Sequence, residues 1–337
     1  MSTKPLGVAV VGAGAFAQSH VDAYEQIESA EVLAIVDLDA KRARQTARRS
    51  GGIFATSRLA DVLKMSQVAL VDICTPNSTH AQIAREVLES GRHVLTEKPI
   101  ALKLNDADML NEAARANDVS LTVGLVMRQF PLVRTLRQVI DRGDLGRPLV
   151  VALSLQGGLI WPGAWRAWQR NPAVSGGHVL HNGTHLVDLA QWFLSAPPTR
   201  VYGQAYRTNS PQSQVDDHWS LTIEFSNGAI ATCEYSYSLP GNPDPIVEAT
   251  IFGDRGVASF SSIDAPALFG SSGSRLVHEM RGDSMVRQLS DVVEVARGAL
   301  PAQDYAEIRR SLAVCIAGQR SIDEGRPVDL SELEGLR

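Results

Sequence analysis

The sequence predicts an α/β protein of two domains: an N-terminal doubly wound parallel sheet, then a C-terminal α/β domain with a large open, mostly antiparallel sheet. Three observations carry this expectation. Short apolar runs alternate with helical stretches over the first 126 residues. After about residue 127 the pattern changes to period-two alternation with hairpin signals. A length of 337 residues, at about 150 per domain, also suggests roughly two domains. The boundaries read as 1–126 and 127–337, with the C-terminal helices able to pack back on the first domain.

Leu6 to Val11 is an apolar run bounded by Gly12, suited to a strand buried on both faces. With Lys4 in front, Leu6 to Ala17 has the outline of a signal peptide, but it reads better as a strand entering a glycine turn. A helix is expected over about 15–27, a strand over Val32 to Asp37, and a polar helix over Lys41 to Ser50. Strands follow at Val68 to Cys74, His93 to Thr96 and Ser120 to Leu125, with helices at Gln82 to Ser90 and 105–117 between them. Short connections between alternating strands and helices are the mark of a doubly wound sheet.

In the second half a strand is expected at 149–155 and a helix at 183–195. Trp219, Leu221, Ile223 and Phe225 alternate with Ser220, Thr222, Glu224 and Ser226, as in a sheet covered on one face. Asn227-Gly228 then signals a hairpin, with Ala229 to Ser238 as the returning strand. Gly253 to Gly256 is a turn between strands 246–252 and 257–261, and residues 270–274 read as a short loop. Helices over 284–298 and 302–324 end at Gly325 and Pro327.

Composition narrows the function classes. Lys plus Arg is 32 and Asp plus Glu is 37, a formal net charge of −5, so nucleic acid is not an expected partner. No apolar run reaches the roughly 18 residues of a membrane helix, so no membrane partner is expected. Cys74, Cys233 and Cys315 are far apart and odd in number, which suits reduced thiols in a cytoplasmic protein.

Gly12-Ala13-Gly14-Ala15-Phe16-Ala17 matches G-x-G-x-x-A between a strand and a helix. Gly12 suits the tight turn, Gly14 lets the backbone approach a pyrophosphate, and Ala17 permits close helix packing. The helix N-terminus then faces the phosphate charge. Asp37 follows Gly14 by 23 residues, where a carboxylate accepts hydrogen bonds from the adenosine ribose. It repels a 2′-phosphate, Asp39 adds charge, and Leu38 offers no counter-ion, so NAD is favoured over NADP, with Arg42 and Arg44 as opposing features.

Two further motifs stand at strand ends: Cys74-Thr75-Pro76-Asn77-Ser78-Thr79-His80 and Glu97-Lys98-Pro99. Together with the glycine loop they resemble the Gfo/Idh/MocA oxidoreductase family. The likeness extends through Ser175 to Asp188 and the closing Gly325 to Val328. The resemblance implies a Rossmann domain, and a second domain whose open sheet forms a homodimer or homotetramer interface. It implies NAD(P)-dependent oxidation or reduction of a secondary hydroxyl on a sugar, an inositol-like polyol or a derivative.

The same resemblance assigns roles. Thr75, Pro76 and Asn77 would line the nicotinamide side, with His80 in the same cofactor-binding stretch, and Glu97 would contact the nicotinamide ribose region. Lys98 would reach the substrate hydroxyl from a Lys-Pro bond that is often cis in the family. His185 matches the family histidine that exchanges the proton, while His181 occupies the place of the family aspartate. Asn182 lies between them, and Arg128, Trp165 and Arg166 resemble positions beside the substrate. The expected chemistry is hydride transfer to nicotinamide C4, with His185 as base and Lys98 stabilising the alkoxide. Histidine in place of aspartate removes a negative charge and favours an anionic substrate such as a uronate.

Other readings remain beside this one. His181 and His185 are four apart, a spacing that binds zinc on a helix, but Gly183 and the lack of a Cys or Glu ligand leave no metal expected. His178 reads as a loop or supporting residue, and Trp161, Trp165 and Trp168 serve equally as packing residues. A relative that uses transient oxidation for elimination or glycoside cleavage, and a non-catalytic NAD-binding regulator, are the alternative functions.

Overall fold

The computed structural model describes residues 4–157, 168–207, 214–237, 246–261, 267–270, 273–276 and 283–334. The chain divides into two compact units, Met1–Gln129 with Asp283–Tyr305, and Phe130–Gly282 with Ala306–Arg337.

The first unit opens with β1 (Leu6–Val11), α1 (Ala15–Tyr24), β2 (Ala30–Val36) and α2 (Ala40–Arg49). It continues through β3 (Phe54–Thr56), α3 (Leu59–Val62), β4 (Val68–Ile73), α4 (His80–Glu89), β5 (His93–Thr96), α5 (Leu104–Ala116) and β6 (Leu121–Val123). The strands form one sheet in the order β3-β2-β1-β4-β5-β6, and every pair is parallel. Helices cover such a sheet on both faces, which is why Val8, Ala9, Val10, Leu70, Val71 and Leu95 are all fully buried. Strand order reverses between β1 and β4, and ligands of open α/β sheets bind outside the strand ends at that point.

The second unit begins with α6 (Pro131–Asp141), β7 (Pro148–Gln156), α7 (Pro172–Ser175), α8 (Thr184–Leu194) and β8 (Pro198–Tyr206). It continues through β9 (His218–Phe225), β10 (Ile230–Ser236), β11 (Ile246–Gly253), β12 (Gly256–Ser261), β13 (Ala267–Gly270) and β14 (Gly273–Leu276). Trp219, Leu221 and Ile223 of β9 are fully buried, while Thr222 and Glu224 between them are exposed. The Asn227-Gly228 turn joins β9 to β10 as an antiparallel pair. Of residues 270–274, expected as a loop, Gly270 closes β13 and Gly273 and Ser274 open β14, which pairs with it, while 271 and 272 lie outside the described residues.

The chain then returns to the first unit as α9 (Ser284–Ala296). Leu289, Val292 and Val293 of α9 join the core formed by Val8, Val10, Val21, Tyr24 and Ile35. The Gln303 side chain pairs with the N–H and C=O of Val123, at 2.8 and 3.0 Å, and so occupies the open edge of β6. The second unit is completed by α10 (Tyr305–Glu324), β15 (Val328–Asp329) and α11 (Ser331–Glu334). Its nine strands run in the order β14-β13-β12-β11-β7-β10-β9-β8-β15, antiparallel except for the parallel pair β7 and β10. On the exposed face Ile230, Val150 and Phe252 form a row across β10, β7 and β11. Among the described residues no helix is long and apolar enough to cross a membrane.

Candidate active site

The glycine loop has the backbone its sequence requires. Gly12 has φ +99°, and a Cβ there would lie 2.4 Å from the Cys74 carbonyl oxygen, so only glycine lets β1 turn beside the end of β4. Gly14 is the N-cap of α1 and offers that helix no side-chain cap hydrogen bond. Ala17 is fully buried beneath it. Ala15 is exposed and Phe16 half-buried at the first turn of the helix. These features fit a dinucleotide diphosphate.

Asp37 stands just after β2, where the ribose of such a cofactor needs an acceptor. Its Oδ2 accepts the Ala13 N–H at 2.8 Å and its Oδ1 accepts the Asp39 N–H at 2.8 Å. Arg42 adds a two-pronged contact at 3.1 and 3.0 Å, so Asp37 does have a counter-ion, supplied by α2 and not by the exposed neighbour Leu38. Asp39 is the N-cap of α2, and the amides of Arg42 and Lys41 hold its carboxyl below the usual range. Its charge therefore serves the helix.

The ends of β4 and β5 are tied together. His80 is fully buried, with Nδ1 at 2.7 Å from the Pro99 carbonyl and Nε2 at 2.8 Å from the Thr75 carbonyl. Burial pulls its pKa below the ordinary value, against the two carbonyls that favour the doubly protonated ring. The sequence places His80 among the cofactor contacts, yet both its nitrogens are spent inside the protein. It ties the Thr75 segment to the Pro99 segment. Asn77 is buried beside them, Glu97 is 7% exposed, and Lys98 is half-buried at the end of β5 before a cis Lys98-Pro99 bond. The Lys98 N–H donates to Glu97 Oε2 at 3.3 Å. Arg128 sits in a 3₁₀ turn, Val126–Gln129, which Gln129 anchors to Asp291 of α9 at 2.7 Å.

Sequence reasoning missed a buried cluster behind these residues. His20 of α1 places Nδ1 at 2.8 Å from Asp72 Oδ2 and Nε2 at 3.5 Å from Glu97 Oε1. The Cys74 thiol donates to Asp72 Oδ1 at 3.4 Å. The available signal was Asp72 itself, an acid inside the apolar run Val68–Ile73 that needs a buried partner. Among the described residues, His20, Asp72 and Cys74 also form the group of three metal-capable atoms lying within 4.8 Å, rather than the histidine motif.

In the second unit, Gly176 and Gly177 have φ of +80° and +86° and carry the chain from α7 into a wide π-turn, Val179–Gly183, that runs on into α8. Such turns concentrate at functional sites. His181 and Asn182 lie in it, and His185 is on the first turn of α8. His181 Nε2 accepts from the Gln169 amide at 3.4 Å, and the Trp168 ring meets His181 edge-on at 5.2 Å. Gln169 carried no sequence signal beyond its place in the tryptophan-rich stretch. His178 is buried, stacked on Tyr237 at 4.7 Å and edge-on to Trp219 and Tyr235, with Nδ1 at 3.0 Å from the Asp216 carbonyl. Trp161, Trp165 and Arg166 lie outside the described residues.

Residues 6–125 match the NAD-binding Rossmann-fold domain of the GFO/IDH/MocA oxidoreductase family, and residues 133–259 match the family's C-terminal domain. The chain belongs to this family and is an NAD-dependent oxidoreductase acting on CH–OH groups. It is 26% identical to the scyllo-inositol 2-dehydrogenase (NAD(+)) of Bacillus subtilis, over 96% of this chain and 95% of that one. It is 26% identical to the D-glucoside 3-dehydrogenase of Escherichia coli, over 77% of this chain and 78% of that one. The crystal structure of GenD2 from gentamicin A biosynthesis, in complex with NAD, superposes with a TM-score of 0.85 at 26% identity, covering 98% of this chain and 97% of that one.

Proposed function

We propose that the protein interconverts a secondary hydroxyl and a ketone on a sugar, an inositol-like polyol or a sugar derivative. The observation that carries this reading is the gathering of the Gly12 turn, Thr75 to Asn77 and Glu97-Lys98 at the C-terminal ends of β1, β4 and β5. Gly12, Gly14, Ala15, Phe16, Ala17, Asp37, Leu38, Thr75, Pro76, Asn77, Glu97 and Lys98 are assigned to the cofactor site. Bound NAD supplies the hydride acceptor, C4 of its nicotinamide.

The chain's own residues handle binding and the proton. Lys98 donates a hydrogen bond to the substrate oxygen and stabilises the negative charge that grows there. His185 takes the hydroxyl proton in oxidation and returns it in reduction, as an imidazole near neutrality does. His181 orients the substrate from the π-turn, steadied by Gln169 and Trp168, with Asn182, Arg128, Trp165 and Arg166 as further substrate contacts. Because the family resemblance puts His181 where an aspartate is usual, carboxylated sugars belong among the candidates.

The test is a panel of sugars, inositols, uronates and glycosides scored by NADH formation with NAD and by NADPH formation with NADP. Saturable reduction of NAD by at least one class is expected, with uronates ahead of neutral sugars. No turnover of any class with either cofactor overturns the reading, and a strong preference for neutral sugars removes its uronate part. The Ile230, Val150 and Phe252 row supports a homodimer or homotetramer through the open sheet face. Sedimentation at micromolar concentration should show it, and a strict monomer would rule it out.

A further inference from the structure

We propose that His20 is a positioning residue: an imidazolium held between Asp72 and Glu97 that fixes the Glu97 carboxylate and, through it, the Lys98 main chain. This inference rests on reading Glu97 and Lys98 as cofactor- and substrate-facing residues.

His20 and Asp72 are fully buried and Glu97 nearly so. Each ring nitrogen of His20 faces a carboxylate, Nδ1 at 2.8 Å from Asp72 Oδ2 and Nε2 at 3.5 Å from Glu97 Oε1. A neutral ring donates on one side only, so it would leave the other carboxylate facing a bare lone pair. Two enclosed carboxylates with no cation between them are strongly unfavourable, whereas an imidazolium gives Asp72 a charge-assisted hydrogen bond and Glu97 an ion-pair contact at 3.5 Å. Burial pulls the His20 pKa down, but the Asp72 carboxylate, aided by Cys74, raises it well above the ordinary value. The other titratable groups packed here are the Cys74 thiol and the Tyr24 phenol, both pushed up by burial and by Asp72. Neither competes as the cation.

The surroundings fix the geometry. The Phe16 ring packs on His20 at 5.1 Å between centroids. A Cβ on Gly124 would lie 2.3 Å from Glu97 Oε1, so glycine at the end of β6 makes room for that carboxylate. The other Glu97 oxygen accepts the Lys98 N–H at 3.3 Å. One side chain thus joins α1, whose first turn follows Gly14, to the strand end that carries Lys98.

Long-range 15N–1H NMR on histidine-labelled protein reads the His20 ring directly, without need of a substrate. At pH 8 both ring nitrogens are expected to carry hydrogen, and Glu97→Gln should lower the pH at which His20 loses its proton. In turnover, His20→Gln and Glu97→Gln should each cost about tenfold in kcat, with the double variant little worse than the poorer single. A neutral His20 ring at pH 8, a titration unmoved by Glu97→Gln, or costs that multiply in the double variant would each overturn the proposal. If His20→Gln does not fold, the titration of the Glu97→Gln protein decides. NADH binding to the unsubstituted chain is measured alongside by fluorescence. Its absence would reject the functional reading, while the ring titration still decides on the His20 clamp.

Discussion

The two units hold their functional residues in place by different forces. At the strand ends of the first unit, polar groups are fixed by one another: Asp37 by Ala13, Asp39 and Arg42, His80 by Thr75 and Pro99, and Glu97 by His20 and Lys98. In the second unit the π-turn is fixed mainly by packing. Gly183 leaves so little room that a Cβ would lie 3.2 Å from the fully buried Trp219, and His178 is enclosed by the Trp219, Tyr235 and Tyr237 rings. Electrostatic ties respond to pH and salt, whereas packing responds to volume, so the two halves should fail under different perturbations.

The largest expected effect strikes the first unit through its core. Leu289→Ala removes a fully buried side chain of α9 and should cost about 2–5 kcal/mol in chemical denaturation. A loss below 1 kcal/mol would mean that the returning helix is not part of the core. Next come the proposed chemical groups, one on each unit. Lys98→Ala and His185→Ala should each lower turnover on the order of 10²-fold while the protein still binds NADH. Near-normal rates in either variant would remove that residue from the proposed mechanism.

Gly183→Ala probes the packing side. Glycine to alanine in a helix ordinarily stabilises by about 0.5–1 kcal/mol. Against Trp219 the sign should reverse, with a net loss of about 1 kcal/mol. A rise in Tm would show that the π-turn has slack.

The pH dependence of stability probes the charged side. The folded chain holds the His20 proton more tightly than the unfolded chain does. Its contribution is therefore complete below the unfolded pKa of about 6.5 and is lost as pH rises toward the folded value. The Tm deficit of His20→Gln should be widest near pH 6 and narrow by pH 9. A deficit that stays constant with pH would count against a protonated ring.

Arg42→Ala is the gentlest perturbation, because the Arg42 side chain is 47% exposed and its pair with Asp37 is solvent-screened. It should shift cofactor preference further toward NAD by less than about fivefold, since Asp37 then meets a 2′-phosphate unneutralised. A gain in NADP use would show that Arg42 does not serve as the counter-ion.

Much of the first unit was legible because local rules govern it. Gly12 answers to backbone geometry, and the buried strand β1 reads as an unbroken apolar run. The β9 alternation and the Asn227-Gly228 hairpin were legible for the same reason. Contacts set by residues distant in sequence were not. His20 meets Asp72 across 52 positions of sequence. β3, β8, β13, β14 and β15 are absent from the expectations, because short or mixed-polarity strands gain their partners from the sheet and not from their own pattern. α6 is absent too, although its buried Leu132, Val133, Leu136, Val139 and Ile140 follow a helical period.

The return of α9 to the first unit has a consequence for how the molecule is made. Val21 and Tyr24 of α1 share a core with Leu289, Val292 and Val293, yet residues 130–282 must leave the ribosome between the two groups. At about 5–20 residues per second, those 153 residues take roughly 8–30 s. Throughout that interval the nucleotide-binding half is present with part of its apolar surface bare. Nascent chains stalled before residue 283 should therefore bind chaperones that recognise apolar segments, and chains extended past residue 305 should release them.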